Sequence, residues 1–318
     1  MKKVTGMDWL KKGIKALEVT SLQSAEEINE ILKIKPDVYN EFQYWTPLKL
    51  IVLNYAFHVC STIINRMTFF KRKYYVDLFA GTGINKMKEK EDFLIGSPLI
   101  VSLSNHSALY DEMIFCEKDD EYSEALNLRL AFLKKKNLVV MKQKYEDCLD
   151  EILKRVNQRN TYSFFFIDPN CMEFAWIDMV KVLKSRSDII FNFMTSEICR
   201  AVGLVKKERS QGESITRVFG DDCWKKAKCE EELVEIYKEN ILKERKEAPI
   251  RTIKIKSKKH HFCYHLLFIT NKTKKGNQWL RAIDKLKKEI EAHSDKAVLL
   301  ALDLVKKRQT DLFQFRNP

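Results

Sequence analysis

From Lys73 onward the hydrophobic positions of this chain follow two alternating rhythms. Short apolar runs, "YYVDLF", "EMIFCEKD", "LVVMKQ", "SFFFID" and "DIIFNFM", read as strands. Between them, "GSPLIVSLS", "EYSEALNLRLAFLKKK", "LDEILKRV" and "FAWIDMVKVLKS" carry apolar residues at helical spacing. Strand and helix in alternation predict βαβ units, a parallel sheet and an α/β fold. Ser97 is expected to cap the first of these helices, with Pro98 at its first position.

Upstream, "SAEEINEIL" has Ser24 and Glu27 in a capping-box pattern, and Pro36 ends the helical run. "WTPLKL" opens a further helix reaching about Met67, with Thr46 as cap and Pro47 at its first position. "INKMKEKEDFLI" reads as a variable segment. Downstream, residues 196–246 are charged and helical, interrupted at "FGDDCW". "IRTIKIKS" and "HFCYHLLFITN" then lie too close together for a parallel crossover and predict an antiparallel hairpin. The expected division is a helical extension over 1–44, a main domain over 45–290 and a C-terminal helix or tail over 291–318.

Composition adds little: of 318 residues, 45% are apolar and 32% charged, as in ordinary globular proteins. No unbroken apolar stretch has the length of a membrane span, and a cytoplasmic location is expected. Eight scattered cysteines form no CxxC pair or metal-like spacing, so no bound metal is expected. The net charge of +13 is more telling because it is uneven. Between Ala248 and Ile283 there is no Asp or Glu but nine Lys or Arg, among them Lys254, Lys256, Lys258 and Lys259. Interleaved with aromatic residues, such a stripe suits a phosphate backbone, or is simply a solvated face.

In open α/β sheets ligands bind beyond the carboxyl ends of the strands. The first strand ends in Asp77, then Phe79 and "AGTG", whose Gly81 and Gly83 allow close backbone approach. The third glycine of a dinucleotide fingerprint is missing, which disfavours NAD. Glu117 ends the second strand and can accept two ribose hydroxyls; Asp147 and Cys148 follow the third and can meet an adenine edge. Together they point to an adenosine-containing ligand. The fourth strand ends in Asp168, Pro169 and Asn170, a carboxylate and rigid carbonyls placed for catalysis. Asn192, after the fifth, can orient a substrate, and Arg200 can hold a phosphate.

Five parallel strands, a helical excursion and a terminal hairpin form the strand pattern of the Rossmann-like class I S-adenosylmethionine-dependent methyltransferases, with seven strands in all. "FQYWTPLKL", "YYVDLFAGTG", "IGSPLI", "FIDPN" and "NFMTSEICR" closely resemble the three-Cys-motif partner family, along most of the chain. That resemblance implies a methyltransferase-like fold and a partner protein bearing a cysteine motif. More distantly, the motif order is similar to bacterial 23S ribosomal RNA adenine-N6 methyltransferases. This second likeness implies S-adenosylmethionine contacts at Ser97, Glu117 and Asp147, a catalytic acid at Asp168, and a cofactor-closing lysine at Lys49. The chain departs from that family at Asn170 and Cys171, where it has a second proline and an aromatic residue, and at Phe79, where it has a histidine. Phe174 or Trp176 are candidates to supply the missing aromatic face. Cys171, two places after Pro169, raises a cysteine-nucleophile mechanism, which lacks a second PC or TC element.

The expectation is methyl transfer from S-adenosylmethionine to nucleic acid, RNA ahead of DNA, at a base nitrogen. The alternatives are a non-catalytic cofactor-binding or scaffolding subunit, and methylation of a protein or small molecule.

Overall fold

Strands with apolar side chains on both faces need cover on both sides. β2 (Arg72–Asp77) sends Tyr75 into one buried cluster and Tyr74 and Val76 into another. β7 (Thr161–Ile167) divides Phe164 and Phe166 from Phe165 and Ile167 in the same way. The computed structural model describes residues 25–42, 46–87, 93–257, 261–273, 277–292 and 297–298. Residues 1–24 of the expected extension, most of the expected C-terminal tail, Lys258 and Lys259 lie outside the described residues.

The main sheet has seven strands, in the order β6 (Leu138–Met141), β5 (Glu112–Cys116), β2, β7, β8 (Ser187–Phe193), β10 (Phe262–Ile269) and β9 (Ile250–Ser257). The first five are parallel, and β10 runs antiparallel to both its neighbours, so the expected hairpin is present. One face is covered by α2 (Thr46–Asn65), α3 (Ser97–Leu103), α4 (Asp120–Phe132) and α10 (Gln278–Ala292). The other is covered by α5 (Tyr145–Val156), α6 (Trp176–Leu183), α7 (Thr195–Lys206), α8 (Glu213–Phe219) and α9 (Glu230–Glu244). Helices α7 to α9 make up most of the expected helical excursion.

By length and composition α2 is long and apolar enough to cross a membrane, which the sequence reading did not anticipate. It is a core helix: 61% of its most apolar window is buried, and Trp279 of α10 donates to its Ala56 carbonyl at 3.2 Å.

Three further expectations need correction. The segment expected to vary forms β3 (Ile84–Met87) and β4 (Phe93–Ile95), and the extension expected to be helical contributes β1 (Asn40–Phe42) as well as α1 (Ala25–Lys33). β1 pairs in parallel with β3, making a three-stranded sheet beside the first glycine turn. The alternating Asn-Glu-Phe text was too short to register as a strand without its partner. Ser97 is not a cap: it lies inside α3, and Gly96 takes the cap position without a side-chain hydrogen bond.

Candidate active site

β2 ends at Asp77, and the turn after it is held from both sides. Ala80 N–H donates to the Cys116 carbonyl at 2.9 Å, and Gly81 N–H to Glu117 Oε2 at 2.8 Å. Thr82 N–H donates to Asn40 Oδ1 at 2.7 Å, so β1 grips the turn directly. Gly81 has φ of +62° and Gly83 +77°, conformations that L side chains resist. A Cβ at Gly81 would stand 2.4 Å from Asn40 Oδ1. Gly81→Ala is therefore expected to cost about 1–3 kcal/mol of stability and to weaken ligand binding by tenfold or more. Thermal melts and calorimetric titration with S-adenosylmethionine check both parts.

Glu117 closes the turn from β5. Its Oε1 accepts from Asp119 N–H at 2.9 Å, while Asp119 caps α4 by accepting from Tyr122 N–H. Burial raises the Glu117 carboxyl above its ordinary value, against hydrogen bonds from the Asp119, Gly81 and Lys118 N–H groups. The next expected pair moves. α5 begins at Tyr145, several residues before its expected start, so Asp147 falls on the exposed side of its first turn. Cys148 turns into the core, its Sγ 3.3 Å from that of Cys116. Neither lines the cleft; Lys144, Tyr145 and Glu146 do. Phe79 lines it too, 5.1 Å from the Tyr145 ring.

Asp77 stands behind the turn, fully buried, and does not line the cleft. Its Oδ1 accepts from Phe79 N–H at 3.2 Å, and Ser97 adds a hydrogen bond. Its Oδ2 has no partner. Burial pushes this carboxyl from 3.8 up to about 7, assisted by the charges of Asp168 and Glu117 and opposed by the two hydrogen bonds. The folded chain thus holds the proton more tightly than the unfolded chain. The resulting stabilisation is complete below about pH 4 and is lost as pH rises to about 7, on the order of 4 kcal/mol. Wild-type melting temperature should fall relative to Asp77→Asn across that window and run parallel above it. A constant difference from pH 4 to 7 would refute the assignment.

Opposite the turn, Asp168 follows β7. Its Oδ2 pairs with Lys49 Nζ at 2.5 Å, and its Oδ1 accepts from Asn192 Nδ2 at 2.7 Å. α2 and β8 thereby fix one carboxylate from two sides, with side chains only 11% (Lys49) and 17% (Asp168) exposed. Asn192 Oδ1 is buried and accepts nothing. Pro169 and Asn170 also line the cleft, and the loop turns at Cys171 with φ of +55°. Burial and the charges of Glu197 and Glu173 raise the Cys171 thiol above its ordinary value, the wrong direction for a thiolate nucleophile. The proposed stacking substitutes are elsewhere. Phe174 is buried among Tyr145, Phe79 and Phe191, and Trp176 packs edge-on against Tyr237.

These groups share one cleft of about 640 Å3, which also takes in Lys49, Gly81, Gly83, Ser97 and Asn192. Seven carboxylates line it against four cationic side chains, so it is acidic in a basic protein. Three expected phosphate ligands lie outside it. Arg200 pairs with Glu197 at 2.7 Å, and Lys254 with Glu231 at 2.6 Å and Glu230 at 3.7 Å. Lys256 is exposed on the edge strand β9. The sequence reading missed Asn40, and it missed Arg129, which is buried on α4 and donates to the Thr82 carbonyl at 2.8 Å. The same guanidinium reaches the carbonyls of Ile34, Lys35 and Val38.

Numbered within itself, the main sheet runs 3-2-1-4-5-7-6 with its seventh strand reversed, and the cleft lies over its central strands. This is the class I methyltransferase fold. No protein-family model matches the sequence, and no curated protein does. Among solved structures, Trm1 from Pyrococcus horikoshii with S-adenosyl-L-methionine is similar at 16% identity and a TM-score of 0.41, over 85% of this chain and 77% of that one. Cofactor-bound Rv0187 from MTB is similar at 9% identity and 0.38, over 70% and 80%. A precorrin-6y C5,15-methyltransferase from Geobacter metallireducens is similar at 11% and 0.34, over 68% and 87%. The fold assignment rests on the strand order.

Proposed function

We propose that this chain transfers a methyl group from S-adenosylmethionine to nucleic acid in the cytoplasm, at a base nitrogen and with RNA favoured over DNA. The supporting observation is the carboxylate of Asp168, fixed by Lys49 and Asn192 in the same cleft as the glycine turn and Glu117. The donors present suit the cofactor. The turn at 78–83 would take its amino-acid end, Glu117 its ribose hydroxyls, and the Lys144–Glu146 edge its adenine, in place of Asp147. An acidic cleft favours a ligand that is cationic at sulfonium and ammonium.

The cofactor supplies an electrophilic methyl group; the chain supplies position and charge. Asp168 accepts one hydrogen bond from the target amine, and the carbonyl of Pro169 or Asn170 accepts the other. Lys49 pairs with Asp168 from one side, and Asn192 fixes its orientation from the other. The amine would shed one proton as its new N–C bond forms and the sulfonium S–CH3 bond breaks, sulfur keeping that electron pair as a thioether; Asp168 is the anchored acceptor for the proton.

The test is transfer of labelled methyl to separated pools of unmodified tRNA, ribosomal RNA and DNA. Label confined to one pool supports the proposal and names the substrate. No label from protein that binds the cofactor would favour a non-catalytic subunit working with the cysteine-motif partner that the family resemblance implies.

A further inference from the structure

The cleft is acidic, so the surplus positive charge lies elsewhere. Much of it gathers at the opposite edge of the sheet, where β2, β7 and β8 begin. Arg66, Lys71, Arg72, Arg159, Lys184 and Arg186 are all exposed there. The three turns that carry them are physically joined. Lys71 N–H donates to the Asn160 carbonyl at 2.8 Å, and Arg72 stands in register with Thr161. Phe70 packs on Tyr162 at 5.3 Å and on Phe69 at 5.4 Å, and the Arg186 guanidinium lies 5.7 Å from the Phe69 ring centre. None of the six cations makes a salt bridge among the described residues. Nearby acids are few. Asp111 is exposed and accepts from Lys73 N–H, and Asp188 is half-buried and accepts from the Tyr162 hydroxyl at 2.8 Å. Phe69 is 55% exposed and Met67 42%.

We propose that this edge is a second nucleic-acid contact, in which the unpaired arginines and lysines hold phosphates and Phe69 receives an unpaired base beside Arg186. Unpaired cations flanking an exposed ring are the elements of a single-strand platform. An acidic protein would need the cations but not the ring. A lipid surface would need apolar side chains grouped ahead of the cations, whereas here the ring lies beneath a guanidinium. The proposal rests on the nucleic-acid reading of the cleft and extends it. A substrate touching both ends must span a seven-residue strand, roughly 23 Å, which selects a folded or long strand over a short oligonucleotide.

The test is fluorescence anisotropy with a labelled hairpin RNA of about 30 nucleotides, and DNA of the same sequence, over a range of salt. The triple variant Arg72→Glu/Arg159→Glu/Arg186→Glu should bind at least about tenfold more weakly, with the log–log salt slope reduced by about 2. Phe69→Ala alone should weaken binding about tenfold without changing the slope. The RNA and DNA arms show which strand the edge takes. Cofactor affinity, measured by calorimetry, should be unchanged in both variants, so failure here is separable from failure of the methyl-transfer reading. Unchanged RNA and DNA affinity in the triple variant would overturn the proposal. So would an equal loss in Lys206→Glu/Lys207→Glu/Arg209→Glu, which removes the same charge from the end of α7. Binding to phosphatidylserine vesicles or polyglutamate in place of either strand would also overturn it, giving the edge to a membrane or an acidic protein.

Discussion

Asp168→Asn should lower the proposed methyl transfer by about 10³-fold while cofactor binding persists, because the carboxylate proposed to accept from a target amine is replaced by a neutral amide. The same change has a structural cost. Lys49 is only 11% exposed and would be left without its counter-charge. Removing one partner of such a pair costs about 3 kcal/mol. Lost activity alone would therefore not separate chemistry from folding. Lys49→Met/Asp168→Asn does separate them: it removes both charges and should recover most of the lost melting temperature with no recovery of transfer. Transfer by the double variant at near wild-type rate would exclude a catalytic role for Asp168.

The second large effect is expected at Arg129. Its guanidinium satisfies carbonyls of residues 34, 35 and 38 in the extension and of Thr82 in the glycine turn. Burial lowers its pKa to about 10, which leaves it cationic at neutral pH. Arg129→Ala strands several buried acceptors at once, at about 1–3 kcal/mol each before relaxation. A loss of at least about 3 kcal/mol in denaturant melts is expected, together with weaker cofactor binding. Arg129→Lys can reach fewer of these carbonyls and should fall between. If Arg129→Ala melts like wild type, the extension is not held by this residue.

The main sheet was legible because its strands are buried on both faces, and near-continuous apolar text such as "SFFFI" survives without knowledge of its neighbours. The strand-end acids Glu117 and Asp168 were legible for the same reason: they terminate those runs. Asp147 was misplaced because the start of α5 depends on Tyr145 packing into the core, and nothing local marks that. The small sheet was missed because three residues of β1 have no pattern of their own and acquire one only against β3. Arg129 did leave a signal. It shares a helical face with Ala125, Leu126 and Leu130, and a cation on an apolar stripe asks for buried acceptors. The stripe of lysines in the hairpin did not reveal that Lys254 meets acids from the start of α9, because those acids are distant in sequence.

The Arg129 clasp also sets an order of events during synthesis. Val38 and Arg129 are 91 residues apart, so the extension leaves the ribosome well before the side chain that fastens it. At ordinary elongation rates that gap lasts roughly 5–18 s. Throughout it, Asn40 and the glycine turn can meet, but the segment behind Asn40 has no anchor. The nascent chain should therefore gain its ligand-binding competence late, after α4 has emerged, and a stall before that point should leave a chain that cannot retain the cofactor.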